Sequence, residues 1–149
     1  MIDFDHCLVD TSVVARRTQS GSTQYPAAER SLTCLFMHGV RLYLAEQTLY
    51  EFWVVATRPP GDNGFGYTTN EAAVAIRNLQ NAYTILRSES YYDEWYDLVI
   101  RYHVSGKAAH DARFVALMLT CGLTYLLTFN INHFVRYSEI VVINPEDYR

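Results

Sequence analysis

Short apolar runs, separated by longer segments of mixed polarity, recur along the chain. The first is Cys7-Leu8-Val9, which ends in Asp10-Thr11-Ser12. A short apolar run reads as a buried strand, and the Asp-Thr-Ser after it reads as a helix N-terminus. Residues 27–38 are predicted helical, followed by a strand over 40–44. A helix over 46–57 is stopped by Arg58-Pro59-Pro60-Gly61, and residues 62–67 form a glycine-rich loop. Thr68 and Glu71 have the spacing of a capping box, which predicts a helix over 69–82. Residues 84–86 read as a short strand and 91–103 as a helix that Ser105-Gly106 breaks. The next helix covers 107–121, with Gly122 at its C-terminal end. Strands over 123–128 and 140–143 complete the pattern, and Asn144-Pro145 ends the last.

Apolar strands alternating with helices predict a parallel sheet covered on both faces. The expected fold is therefore α/β: a three-layer α/β/α sandwich around a mainly parallel sheet. With 149 residues and no repeat, low-complexity stretch or linker, residues 1–149 read as one domain. Residues 114–135 carry no Asp, Glu, Lys or Arg, so a membrane span has to be weighed. A span needs about 20 apolar residues. Thr120, Gly122, Thr124, Thr128, Asn130, Asn132 and His133 interrupt this stretch, which predicts a buried helix, a turn and a buried strand instead.

Half of the residues are hydrophobic, enough for a sizeable core, but the formal net charge is −4. That balance excludes a broad basic surface. A nucleic-acid enzyme of this composition has to rely on local basic patches and metal ions. The three cysteines, Cys7, Cys34 and Cys121, form no Cys-x-x-Cys pair and lie in apolar surroundings. They read as buried free thiols in a reducing cytosol. The acidic start Met1-Ile2-Asp3-Phe4-Asp5 lacks the basic residues and long apolar stretch of a signal peptide, so a cytoplasmic location is expected.

Three carboxylates invite a chemical reading, although each has an ordinary structural one. In parallel sheets ligands gather beyond the C-terminal ends of the strands. Asp10 ends the first strand and belongs at that rim, but it would equally cap a helix. Glu51 lies in an apolar helix, with Gln47, Thr48 and Val55 on its face. A buried charge there needs a partner, and a solvent-facing glutamate is the alternative. Asp111 falls in the first turn of a late helix, where the helix dipole favours a carboxylate.

Four segments together resemble one known family. They are Leu8-Val9-Asp10-Thr11-Ser12-Val13, Leu49-Tyr50-Glu51-Phe52, Gly106-Lys107-Ala108-Ala109-His110-Asp111-Ala112 and Leu126-Leu127-Thr128-Phe129-Asn130-x-x-His133-Phe134. Their order and spacing resemble the PIN-domain family, in particular its VapC-type toxin branch, over essentially the whole chain. The resemblance implies a ribonuclease, the toxin of a type II toxin–antitoxin pair, in which Asp10, Glu51 and Asp111 bind Mg²⁺ or Mn²⁺. It implies products with a 5′-phosphate and a 3′-hydroxyl. It also implies a small cognate antitoxin covering the acidic site, and a homodimer. The fourth acidic position of many members falls on Asn130, which offers an amide oxygen without charge, so a second metal would be held more weakly. Ser12 and Thr128 match polar positions near the family's site, with a role in orienting a carboxylate or a water. Asn130 also leaves open a weakened or inactive domain that binds RNA or protein.

The chemistry agrees with the residue types. Mg²⁺ is a hard ion that prefers oxygen ligands, so clustered carboxylates without Cys or paired His suit it. The five histidines are too scattered for a zinc motif. Lys107, His110 and His133 are candidate substrate contacts, with a solvated lysine as the ordinary reading of Lys107. Arg16, Arg17, Arg58 and Arg113 are further candidates for RNA. The acidic balance favours one shaped substrate, such as a tRNA or rRNA stem-loop, over indiscriminate binding. Tyr91, Tyr92, Trp95, Tyr96 and Tyr102 cluster in one helical region, as core, as a partner surface or as base-stacking groups. A competing look comes from Asp3-Phe4-Asp5, which resembles the Asp-x-Asp of haloacid-dehalogenase-type phosphatases. That fold needs a buried strand before the first Asp, and only Met1-Ile2 precede it.

Overall fold

In a computed structural model that describes residues 2–149, the apolar runs pair into one five-stranded sheet. Met1, part of the acidic start discussed above, lies outside the described residues. Strand β1 (His6–Val9) is followed by helices α1 (Thr11–Thr18) and α2 (Tyr25–Met37). Strand β2 (Arg41–Ala45) runs directly into α3 (Glu46–Thr57), and α4 (Thr69–Ala82) leads to β3 (Thr84–Leu86). Helices α5 (Tyr92–Arg101) and α6 (Ala108–Cys121) precede β4 (Tyr125–Leu127). The short α7 (Ile131–Phe134) and β5 (Val141–Ile143) complete the order. All neighbouring strands are parallel, in the order β3-β2-β1-β4-β5.

The alternation of a strand separates the two layers of helices. On β1, Cys7 and Val9 join a core built with Val13 and Val14 of α1, Leu32 of α2 and Phe52 of α3. Leu8 points the other way, into a core with Leu98 of α5, Phe114 and Met118 of α6, and Phe134 of α7. β1 is thus apolar on both faces, as the centre of a covered parallel sheet requires. The expected three-layer sandwich is what forms.

Local sequence explains most boundaries. Thr68 and Glu71 form both halves of the capping box at the start of α4. Gly122 takes a left-handed φ of 75° and ends α6. The α3 stop holds as well: Arg58 is extended, and the loop after it folds back through a single 3₁₀ turn at Pro60–Asp62. Gly64 makes that return possible, because a Cβ there would lie 1.9 Å from the Arg58 carbonyl oxygen.

Some expectations needed correction. α2 begins at Tyr25 rather than 27, because Pro26 is suited to a first turn. α5 is shorter than expected, ending where His103 takes a positive φ. The turn of helix at α7 was not expected. Among the cysteines, only Cys7 is fully buried; Cys34 and Cys121 are partly so, and all three are free. Burial pushes the Cys7 thiol up to about 12, so it is inert. The aromatic cluster divides: Trp95 donates to the Ala109 carbonyl at 2.8 Å and packs with Tyr91 toward α6, whereas Tyr92 and Tyr96 stack on each other in solvent. No helix among the described residues is long and apolar enough to cross a membrane.

Candidate active site

Strand order reverses at β1, with β2 on one side and β4 on the other. Such a switch point opens a crevice beyond the C-terminal ends of the strands. A cleft of about 790 Å³ lies there, and its walls include Asp10, Glu51, Asp111 and Asn130.

Asp10 immediately follows β1, and its amide donates to the Leu127 carbonyl at 2.9 Å. Only 4% of the residue is exposed, so its charge depends on protein donors. Those donors converge on Oδ2: the Ser12 hydroxyl at 2.7 Å, the Thr128 hydroxyl at 2.8 Å and the Ser12 amide at 3.4 Å. Oδ1 has no donor among the described residues, which leaves one oxygen for a ligand. The Phe129 amide donates to the Ser12 hydroxyl at 3.2 Å, and the Asn130 amide to the Thr128 hydroxyl at 2.9 Å. Asp10 therefore caps α1 and faces the cleft at once, so the two readings of this residue are compatible.

Glu51 is half-buried rather than solvent-facing. Thr11 donates to Oε2 at 2.7 Å and Gln47 donates to Oε1 at 3.0 Å. Gln47 also donates to the His110 carbonyl at 3.2 Å. One buried amide thereby ties Glu51 on α3 to the start of α6, where Asp111 stands. Sequence reading missed Thr11 and Gln47 as positioning groups. The position of Gln47 one helical turn before Glu51 was a usable signal; Thr11 offered none.

Asp111 completes the set from the first turn of α6. Its carboxyl titrates above the ordinary carboxylate value. Burial is the main cause, and the charges of Asp10 and Glu51 add to it, while His133 opposes. The His133 ring Nδ1 lies 3.2 Å from Asp111 Oδ2, so this candidate contact reaches the site through a carboxylate. Lys107 and His110 are exposed on the first turn and do not line the cleft. Asn130 lines it from an exposed position before α7. Asp3 and Asp5 are exposed ahead of β1, at the far end of that strand from the cleft, which removes the phosphatase reading. A hydrogen bond from His6 holds the Asp5 carboxyl below its ordinary value.

The donor set suits a hard divalent cation: carboxylate and amide oxygens, with no thiol. Mutual repulsion felt at Asp111 is what a cation would relieve. As placed, however, no three His, Cys, Asp or Glu side chains among the described residues stand close enough to enclose an ion. The cleft converges on a site without closing into a cage.

No family model matches the sequence, and no curated protein sequence matches it. Solved structures do. VapBC2 from Rickettsia felis, bound to a DNA fragment from their promoter, superposes with a TM-score of 0.66 at 13% identity, covering 93% of this chain and 98% of that one. FitAcB from Neisseria gonorrhoeae gives 0.62 at 16% identity, covering 94% and 98%. Mycobacterium tuberculosis VapC20, a sarcin-ricin loop cleaving toxin, gives 0.61 at 18% identity, covering 85% and 92%. Likeness at such identities is likeness of fold, and this chain has the PIN-type α/β/α fold that those structures share.

Proposed function

We propose that the chain is a divalent-metal-dependent endoribonuclease, the toxin of a type II toxin–antitoxin pair. The observation that carries this reading is the convergence of Asp10, Glu51 and Asp111, each from a different part of the chain, on one cleft at the switch point. The similarity in fold to VapC20, described as a sarcin-ricin loop cleaving toxin, supports it.

Asp10, Asp111 and Glu51 would hold Mg²⁺ or Mn²⁺, with the Asn130 amide oxygen beside them. When bound, such an ion lowers the pKa of a water and stabilises negative charge on phosphate oxygens. The protein's own contribution is orientation. Ser12 and Thr128 hold Asp10 by Oδ2 and leave Oδ1 without a protein donor among the described residues. Thr11 and Gln47 hold Glu51, and Gln47 keeps α3 and α6 in register. Hydrolysis would leave a 5′-phosphate and a 3′-hydroxyl. A small cognate antitoxin over the acidic cleft, a homodimeric state and a cytoplasmic location follow from the resemblance to VapC-type toxins.

The open arrangement of the carboxylates and the neutral Asn130 favour a second reading, a weakened PIN-type domain that binds RNA or protein without cutting. Cleavage of an RNA panel with Mn²⁺ decides between them. The enzyme cuts, EDTA stops it, and Asp10→Asn abolishes it. Wild type and Asp10→Asn that are equally inert, with no Mn²⁺ binding by calorimetry, would overturn the enzyme reading.

A further inference from the structure

Three of the eleven arginines pair with carboxylates among the described residues. Arg17 pairs with Glu29, Arg87 with Glu46, and Arg101 with Asp97 and Glu139. Arg16 and Arg58 are among the other eight. They line the same cleft as Asp10, Glu51 and Asp111, yet among the described residues neither has a carboxylate at ion-pair distance. Two cations without ion pairs among the described residues thus stand in the same cleft as three carboxylates.

Their contacts aim them without neutralising them. Arg16 donates to the side-chain oxygens of Gln24 and Gln19, each at 2.9 Å. Arg58 donates to the Asn63 carbonyl at 3.2 Å, and its Nε is buried with no acceptor. A guanidinium carries five N–H donors, so both keep donors for an anion that accepts two hydrogen bonds, Arg58 through its terminal nitrogens because its Nε is buried. Arg58 is also fixed in place, since the loop returning through Gly64 and Gly66 bonds its carbonyl at 2.9 Å.

The cleft does not end at the arginines. A second hollow of about 670 Å³ shares Arg16, Gln19, Pro60 and Gly64 with the first. Apart from Arg16 its walls are uncharged, and they include Ser22, Thr23, Phe65 and Tyr67. Carboxylates, then cations, then hydroxyls and aromatics is the sequence of groups that tracks an extended nucleic-acid strand. Aromatic rings stack on unpaired bases, which a duplex keeps inside its helix.

We infer that Arg16 and Arg58 bind a backbone phosphate of single-stranded RNA next to the phosphate at the carboxylates, with the adjoining nucleotide in the hollow bounded by Ser22 and Tyr67. The inference rests on the ribonuclease reading and adds the course of the substrate. The test is fluorescence anisotropy in EDTA, using a labelled single-stranded RNA of about ten nucleotides, within the range of one single-strand site. Log affinity falls against log salt by about 0.7 for each phosphate contact on a single strand. Arg16→Gln and Arg58→Gln should each flatten that slope, by about 0.7 together for the one phosphate they share, and Arg58→Lys should restore most of what Arg58→Gln loses. Arg16→Gln covers the case in which Arg58→Gln loosens its loop. Unchanged slopes in both variants would overturn the inference. So would equal losses for a blunt RNA duplex, or competition by polyglutamate as strong as by RNA, which would assign the pair to an acidic protein. Asp10-dependent cleavage with arginine-independent slopes sinks this inference alone. Arginine-dependent slopes in a protein that cuts no RNA sink the ribonuclease reading instead.

Discussion

Replacing Thr128 with Val isolates the interaction that holds Asp10. The two side chains have nearly the same shape, so the change removes a hydroxyl and little else. Thr128 is fully buried, and its hydroxyl donates to Asp10 Oδ2 at 2.8 Å while accepting from the Asn130 amide at 2.9 Å. A hydrogen bond to a charged group contributes about 1.5–3 kcal/mol. Water cannot replace the lost donor at Asp10, which is 4% exposed, whereas Asn130 is exposed and its amide can find water. The carboxylate bond therefore dominates, with Ser12 retaining its share. The expected cost is about 2 kcal/mol in urea titrations, or a Tm lower by about 4–8 °C at this chain length. Loss of a group that orients a ligand carboxylate should also weaken Mn²⁺ binding about 10–100-fold in calorimetry. Thr128→Ser is the control. It keeps the hydroxyl, loses a methyl worth about 1 kcal/mol, and should keep its metal affinity. A Val variant as stable as wild type, or one binding Mn²⁺ as well as the Ser variant, would refute the account of how Asp10 is held.

Two more outcomes follow from the site. Asp111 has its carboxyl raised in the folded state, so the native protein binds that proton more tightly than the unfolded chain does. The charged carboxylate therefore costs stability, little below the ordinary carboxylate value and progressively more as pH rises through the raised one. Asp111→Asn should raise Tm at about pH 8, with the gain shrinking toward about pH 4, even as it removes metal binding; a lower Tm at alkaline pH would contradict the sign. Gly64→Ala places a Cβ 1.9 Å from the Arg58 carbonyl oxygen and should cost about 1–3 kcal/mol of overpacking strain. Limited proteolysis should then cut within residues 58–67 first, and wild-type resistance there would show that the loop gives way freely.

How much of this was legible in the sequence depends on whether a feature is local. The capping box at Thr68, the glycine stop at Gly122 and the end of α3 are written in adjacent residues, and they form as read. The central strand was visible because a strand buried on both faces is almost wholly apolar, as Cys7-Leu8-Val9 is, whereas the edge strands β3 and β5 are only partly buried and showed as short apolar runs. Strand order was not visible, since no local pattern says that β1 sits between β2 and β4. The site shows the same division. Asp10, Glu51, Asp111 and Asn130 could be named, and all four line one cleft. Lys107 and His110 stand nearest Asp111 in sequence, yet a turn of helix points them out to solvent. The helper groups Thr11 and Gln47 act across 40 and 63 residues, through bonds to Glu51 and to the His110 carbonyl. Such long spans leave no mark on the composition of either end; only the spacing of Gln47 to Glu51, one helical turn, was local.

The bond between Thr128 and Asp10 joins residues 118 apart, and β5 lies farther along still. This gives the cleft a schedule. A growing chain carries Asp10, Glu51 and Asp111 before it carries the second of the two hydroxyls that hold the first of them. Until β4 and β5 have been made, Asp10 lacks that bond and the strands beside it on one side. On the ribonuclease reading, the site is complete only once synthesis is nearly finished, and contacts of such long range form slowly even then.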